Sequence, residues 1–355
     1  MRVGLVGWGI ASGVGSMNYD IVRLAPWVTH WLVPKHPNSE NHEPYLQACG
    51  DSEVIKCELA GSEAEYKYFL DSIDVLLYVE HPCLRGSYNI VLEAKKRGVF
   101  VIGVPMWEWW PESKDWALAT DMLWAVTDFT YRYLSSLSDV LFAHGFHHCW
   151  RNKVVQGQWG VNLDEFPFVP RKFAKRFVFI NGNGGYKLRK ASDVIFDAFS
   201  LPGAPPLTVY TQQTERLAEN VPRSANLILG NFDERKDVYA DGDVFIFCSY
   251  WEGLGLGLYE AQCSGALVVT TDHAPMNECG TDFVVPVEKF AQENLAGKKI
   301  VKAVPSASDL FEIVHSLNGV NISEISEMNG LIFRNRYDLR KILGMMYEQV
   351  VHYAT

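Results

Sequence analysis

No two cysteines in this sequence stand close enough together to make a paired motif. The seven, at Cys49, Cys57, Cys83, Cys149, Cys248, Cys263 and Cys279, are scattered, and none falls in a C-x-x-C spacing. That pattern excludes a disulfide framework or a zinc ribbon and fits reduced thiols. Positive charge is short as well: 32 Lys and Arg against 42 Asp and Glu leave a net −10, which weakens any general affinity for nucleic acid or anionic lipid. No apolar run approaches the roughly 20 residues of a membrane span. The opening Met1-Arg2-Val3-Gly4-Leu5-Val6-Gly7-Trp8-Gly9 is too short and too broken by glycine for a signal peptide. A soluble cytoplasmic protein without a transmembrane segment is the expectation. The chain also lacks short tandem repeats and low-complexity segments.

What it has is length and apolar content for two cores: 355 residues, 48% hydrophobic. In the first half, short apolar runs alternate with helical stretches. Arg2–Val6, Val28–Val33, Val75–Val79, Val99–Val104 and Val140–Ala143 are the strand candidates, and Asn18–Leu24 begins a helix. Phe166–Lys175, with two prolines and a basic cluster, predicts an exposed linker. The pattern then restarts, with strands at Phe177–Ile180, Leu207–Tyr210, Leu227–Leu229, Val244–Phe247, Leu267–Thr270 and Phe283–Val285. Helices are expected at Ala191–Phe199, Asp309–Ser316 and Leu339–Val351. Strands separated by helices imply parallel βαβ units, so the fold class is α/β, with two doubly wound Rossmann-like domains facing across a cleft. The expected boundaries are 1–168 for an N-terminal domain and 176–335 for a C-terminal domain. A final helical segment, 336–355, returns to the first.

The most telling segment runs from Trp251 to Ala261. It follows the apolar run Val244–Phe247 and leads into helical Tyr259–Cys263, with Gly253, Gly255 and Gly257 at alternate positions. A strand, a glycine-rich turn and a helix N-terminus make an anion site, because unpaired backbone N–H groups point outward and the helix dipole favours negative charge. Glu252 precedes the turn and Glu260 follows it. A phosphate-binding turn between two hydroxyl-accepting carboxylates suits a nucleotide sugar.

These residues resemble the retaining nucleotide-sugar glycosyltransferases of the GT-B fold, especially glycosyltransferase family 4. Glu252, Gly253, Gly255, Leu256, Glu260, Ala261, Gly265, Val268, Val269 and Asp272 keep that family's order. Gly257 stands where the family has proline and Leu254 where it often has phenylalanine. Upstream, Leu229-Gly230-Asn231-Phe232 and Val238–Val244 look like its strand, base-side loop and helix. Phe179-Ile180-Asn181-Gly182 begins the matching domain, and Lys190 falls on the family lysine. The position of the family arginine is Gly185, leaving Arg189 and Lys187 as the two candidates to replace it. In the first half, Gly13-Val14-Gly15 resembles the glycine loop that approaches the donor phosphates, and Trp159–Phe166 the segment that ends the N-terminal domain. The family histidine after a mid-domain strand is missing from Val104–Pro111.

The resemblance implies transfer of a sugar from a nucleoside diphosphate sugar, UDP- or GDP-linked, to an acceptor hydroxyl with retention and without metal or other cofactor. Lys190 and Arg189 would neutralise the leaving diphosphate, with the amides near Gly255–Gly257 as further donors. Glu252 would hold the donor sugar, and Glu260 the ribose. Gly15, Gly253, Leu254, Gly255, Leu256, Gly257, Asn231 and Phe232 complete the donor set.

The dense cluster Trp107, Trp109, Trp110, Trp116 and Trp124 reads either as core packing or as an acceptor platform. In the second reading Trp107 and Trp109 would stack on the acceptor, and Glu108 would be the polar contact. A carbohydrate or small molecule is favoured as acceptor over DNA. The alternatives are a DNA-modifying glycosyltransferase, a sugar-nucleotide epimerase, or a non-catalytic nucleotide-sugar-binding protein. The first is raised by nine Lys/Arg against two Asp/Glu over residues 151–190.

Three patterns are set aside as cofactor or metal sites. Gly7-x-Gly9 with Gly13 departs from a dinucleotide fingerprint, whose acid is absent after Leu32-Val33-Pro34-Lys35. Asp241-Gly242-Asp243 resembles a D-x-D metal site, but Asp243 more naturally starts a strand. His144 and His148, sharing a helix face, lie with His147 and Cys149 where no further ligands mark a metal site.

Overall fold

The computed structural model describes residues 1–10, 12–34, 52–57, 63–82, 88–111, 115–146, 150, 152–182, 188–212, 217, 221–230, 235–295 and 297–354. The chain divides into two compact units. One is Met1–Trp159 with Leu339–Thr355, the other Gly160–Asp338.

The first unit is built on a parallel sheet of β1 (Val3–Val6), β2 (Val28–Pro34), β3 (Glu53–Cys57), β4 (Val75–Val79), β5 (Phe100–Val104), β6 (Met122–Ala125) and β7 (Val154–Gln156), in the order β3-β2-β1-β4-β5-β6-β7. Every residue of β1, β4 and β6 is buried, as expected of strands covered by helices on both faces. The chain winds one way through β1, β2 and β3 and the other way from β4 onward, so the strand order reverses between β1 and β4. The helix Leu339–Ala354 belongs to this unit. It packs on the helix Gly13–Leu24, and Tyr347 stacks on Trp27 with ring centroids 5.2 Å apart.

The second unit repeats the scheme with β8 (Phe177–Gly182), β9 (Leu207–Thr211), β10 (Asn226–Leu229), β11 (Val244–Phe247), β12 (Leu267–Thr271) and β13 (Val284–Val285), ordered β10-β9-β8-β11-β12-β13. Its order reverses between β8 and β11. Ligands of doubly wound sheets bind beyond the strand C-termini at such a reversal. An antiparallel hairpin, β14 (Val287–Leu295) and β15 (Lys298–Pro305), follows.

Several expectations are corrected. Val140–Ala143 is no strand but the last turn of the helix Asp128–Ala143, which Thr127 caps by accepting from the Thr130 N–H. Val140 and Phe142 are exposed there, so the short apolar run was never a buried strand. The helix ends at Ala143 with His144 as its C-cap. Residues 147–149 lie outside the described residues. Gly13 and Gly15 are not in a loop before a helix. They form its first turn, where Ser12 Oγ accepts from the Gly15 N–H at 3.1 Å. Gly15 has no room for a side chain: a Cβ would sit 1.9 Å from the Ile10 carbonyl oxygen.

Phe166–Lys175 is not an exposed linker either. Phe166, Arg171 and Ala174 are buried. The Val169 N–H reaches the Ser264 carbonyl at 3.0 Å, and Ala174 exchanges backbone hydrogen bonds with Gly319 and Val320. The Arg171 guanidinium donates to the carbonyls of Ala240 (2.8 Å) and Tyr239 (2.7 Å) at the end of the helix Arg235–Ala240. Arg171→Met would strand those two acceptors. The expected loss is about 2 kcal/mol of stability or more, read as a lower urea midpoint with native-like circular dichroism.

Candidate active site

The site grows from β8 and β11, the neighbours at the reversal of the second sheet. After β8 the chain reaches Arg189 and Lys190 just ahead of the helix Ser192–Phe199. After β11 it reaches Ser249 and Glu252. The two loops are tied together, with the Tyr250 N–H donating to the Arg189 carbonyl at 2.7 Å. They meet at Glu252. Lys190 Nζ donates to its Oε1 at 2.7 Å, Ser249 Oγ donates to the same oxygen at 2.9 Å, and Arg189 Nη1 stands 3.1 Å from Oε2. Side-chain exposure is graded: 4% for Glu252, 16% for Lys190 and 44% for Arg189. The buried carboxylate is therefore faced by two cations, one enclosed and one open to solvent. Arg189, one of the two candidates to replace the family arginine, stands beside Glu252. Lys187, the other candidate, lies outside the described residues.

Burial works to raise the Glu252 carboxyl pKa. The charges of Arg189 and Lys190 and the hydrogen bonds from Lys190 and Ser249 overcome it and hold the group below its ordinary range. Burial also lowers the Lys190 ammonium, opposed by Glu252 and aided by neighbouring Arg189. A carboxyl depressed on folding contributes stability above its unfolded-state pKa and loses it as pH falls through the depressed value. Wild type is thus expected to lose part of its stability in acid through Glu252, and Glu252→Gln to show a shallower acid slope. Urea titrations of both proteins from neutral pH into acid measure this; identical slopes would contradict it.

Beyond Glu252 the glycine turn leads into the helix Leu256–Cys263, which starts at Leu256, earlier than the apolar pattern suggests. Gly255 precedes it in a left-handed conformation, φ +73°, and brings no side chain to cap the first turn. A Cβ there would fall 2.7 Å from Leu258 Cδ1 and 3.7 Å from Glu252 Cγ. Gly253 and Leu254 are buried, while Gly255, Leu256 and Gly257 are half-buried, so the corner of the turn is partly open to solvent. At Gly257 a Cβ would meet the Phe247 ring at 2.7 Å and Tyr239 Oη at 3.1 Å.

The second carboxylate has its own partners. Glu260 is nearly buried; Arg235 Nη2 pairs with its Oε1, and Tyr239 Oη donates to Oε2 at 2.6 Å. Arg235 also reaches Glu165 Oε2 at 3.3 Å. Burial, then the charge of Glu260 and its hydrogen bond, keep the Tyr239 phenol far above its usual pKa, so it remains a donor. Arg235, Tyr239, Glu165 and Ser249 were not singled out in the sequence. Folding brings Arg235 and Tyr239 to Glu260, and Glu165 to Arg235.

A further support is the hairpin. β15 donates the Ala303 N–H to the Tyr250 carbonyl at 3.0 Å and sets Lys302 Nζ 3.8 Å from the Tyr250 ring centroid, while Tyr250 Oη reaches Asp193 at 2.5 Å. Asp243 is committed elsewhere, its carboxylate accepting from the Arg176 guanidinium at 2.7 Å and from the backbone N–H groups of Lys175 and Arg176. Asn231 and Phe232 lie outside the described residues. In the first unit, Glu108 and Trp107 are buried, Trp107 lying edge-on to Phe129 at 5.0 Å, and Trp109 is 41% exposed. Trp110 packs edge-on against Trp116 and Trp150 in the core, and Trp124 is buried too.

This architecture is the GT-B fold of glycosyltransferases. Residues 182–297, within the second unit, match the family model described as "Glycosyl transferases group 1". Solved structures similar over nearly the whole chain include three glycosyltransferase-fold proteins. Anabaena HepE, crystallised with UDP and glucose, has a TM-score of 0.68 at 12% identity, covering 99% of this chain and 100% of that one. A Rickettsia africae glycosyltransferase has a TM-score of 0.65 at 13% identity, covering 99% and 98%. Sucrose-phosphate synthase from Thermosynechococcus elongatus has a TM-score of 0.64 at 12% identity, covering 99% and 99%. At such identities the likeness is one of fold. No curated protein sequence matches the chain. Among the described residues, no helix is long and apolar enough to cross a membrane.

Proposed function

We propose that the protein transfers a sugar from a nucleoside diphosphate sugar to an acceptor hydroxyl, with retention at the anomeric carbon and without metal. The observation that carries this reading is Glu252, buried at the C-terminal side of β11 and held by Lys190, Arg189 and Ser249 beside a helix with no side-chain cap. As the glycosidic C–O bond breaks, negative charge grows on the diphosphate. Lys190 and Arg189 neutralise it, and the amides around Gly255–Gly257 add donors. Glu252 accepts from hydroxyls of the donor sugar and orients it, supplying rate by positioning. Glu260 accepts from the ribose. The leaving phosphate takes the acceptor proton on the face from which it departs, which retains configuration.

Two fixed cations take the role a divalent ion would otherwise fill, and Asp243, the better-buried half of the D-x-D pattern, is bound to Arg176. UDP is the favoured nucleotide, since the Anabaena neighbour was crystallised with UDP and glucose. A carbohydrate or small-molecule acceptor is favoured over DNA. Much of the basic 151–190 strip is already engaged, with Arg171 on carbonyls, Arg176 on Asp243, and Arg189 and Lys190 on Glu252. Glu108, Trp107 and Trp109 are the acceptor-side candidates, and of these three Trp109 is the exposed one. A reducing cytoplasmic setting suits the buried free thiols of Cys248, Cys263 and Cys279.

The test is a thermal-shift panel of UDP, GDP and ADP and their sugars with chelator present, followed by proton NMR of the product's anomeric signal. A ligand that binds only the folded state raises its melting temperature. Stabilisation by one nucleotide class and a product with the donor's anomeric configuration are expected. Inversion, or a strict need for added metal, would refute the mechanism.

A further inference from the structure

The geometry points to Arg235, backed by Glu165, as the residue that sets Glu260 to read a ribose diol, so that the pocket takes ribonucleoside and not 2′-deoxyribonucleoside diphosphates. This deepens the donor reading above and rests on it.

Glu260 sits in the helix Leu256–Cys263 with almost no exposure, and an ionised carboxylate so placed is costly without a counter-ion and fixed donors. Both are supplied from outside its own helix. Arg235, first residue of the helix Arg235–Ala240, pairs with Oε1, and Tyr239, one turn on, donates to Oε2 at 2.6 Å. A carboxylate has about four lone-pair sites. One donor on each oxygen leaves acceptor capacity on both, matched to the two adjacent hydroxyls of a ribose.

The pinning donors are themselves held. Arg235 Nη1 reaches Glu165 at 3.3 Å, its guanidinium lies 5.0 Å from the Phe166 ring centroid, and Tyr239 packs edge-on to the same ring at 5.4 Å. Phe166 is fully buried, so one rigid ring backs both donors. Arg235 thereby supplies both charge and direction. Without it, Glu260 keeps only the phenol, can rotate about its terminal torsion, and meets the diol poorly. The effect should therefore appear in the preference for ribose more than in grip on the diphosphate, which Lys190, Arg189 and the helix amides provide.

The experiment is equilibrium binding of UDP, GDP and ADP, each beside its 2′-deoxy analogue, to the full chain as wild type, Arg235→Met, Arg235→Lys and Glu165→Gln. Wild type is expected to bind its preferred ribonucleotide roughly tenfold or more tightly than the deoxy form, the scale of a hydrogen bond to a charged group. In Arg235→Met the ratio falls toward one through weaker ribonucleotide binding, with the deoxy Kd little changed. Arg235→Lys restores part of the ratio, and Glu165→Gln lowers it part-way. A purely structural Arg235 would weaken both nucleotides alike. If Arg235→Met does not fold, the Lys and Gln variants decide, and full discrimination in both would overturn the inference. If wild type binds none of the nucleotides, the donor reading falls and takes this one with it. If wild type discriminates and Arg235→Met discriminates equally, only the assignment to Arg235 is overturned.

Discussion

Lys190→Ala is expected to lower turnover on the order of a hundredfold or more, while nucleotide affinity falls much less. Removing one preorganised donor to developing negative charge typically costs about 3 kcal/mol in the transition state. Lys190 fits that role because it is enclosed, with side-chain exposure of 16%, and directed by a 2.7 Å contact to Glu252. Its charge is already placed when the diphosphate begins to leave. Arg189, 44% exposed and therefore screened, is expected to matter less. Steady-state kinetics with the preferred donor separate the two parameters. A variant that raised KM with kcat intact would assign Lys190 to ground-state binding instead. Stability falls as well, because the variant removes one of the two cations that face Glu252 in its buried site, and this is read independently from the melting temperature.

Glu260→Ala is expected to act on binding. Loss of hydrogen bonds from the ribose to a charged acceptor costs about 1.5–3 kcal/mol, or roughly ten- to a hundredfold in Kd. The same change leaves the Tyr239 hydroxyl without its acceptor and Arg235 with Glu165 alone among its two carboxylates. A lower melting temperature should accompany the weaker binding. Isothermal titration with the nucleoside diphosphate measures the first, and a ligand-free melt the second. An unchanged Kd would remove Glu260 from the donor site.

The core of this site was legible in the sequence because it is local. Val244–Phe247, the glycine turn and the two glutamates lie within a short stretch, and strand-to-helix geometry fixes where they stand. Lys190 was legible through its spacing to Ala198 and Phe199 in the family pattern. Arg235 was not, since nothing in its neighbours marks it; its meaning comes from Glu260, 25 residues later. Glu165 is more distant still. The hairpin β14–β15 escaped because Glu288, Lys289, Gln292, Glu293 and Asn294 break the apolar alternation of a half-buried strand, and most of β14 is exposed. Residues Val140–Ala143 misled because four apolar residues fit a buried strand and a helix turn equally well. Phe166–Lys175 misled because prolines and lysines suggest a free connector, whereas buried Phe166 and Arg171 anchor it within the second unit.

The central claim is that the Lys190–Glu252 cluster and the helix beginning at Leu256 grip the diphosphate of a sugar nucleotide. A crystal structure of the full chain with its preferred nucleoside diphosphate sugar tests it most directly. The account predicts a phosphate oxygen within hydrogen-bond reach of Lys190 Nζ and of an amide between Gly255 and Gly257, with the ribose on Glu260. A donor bound with its diphosphate away from Lys190 and that helix end would contradict it.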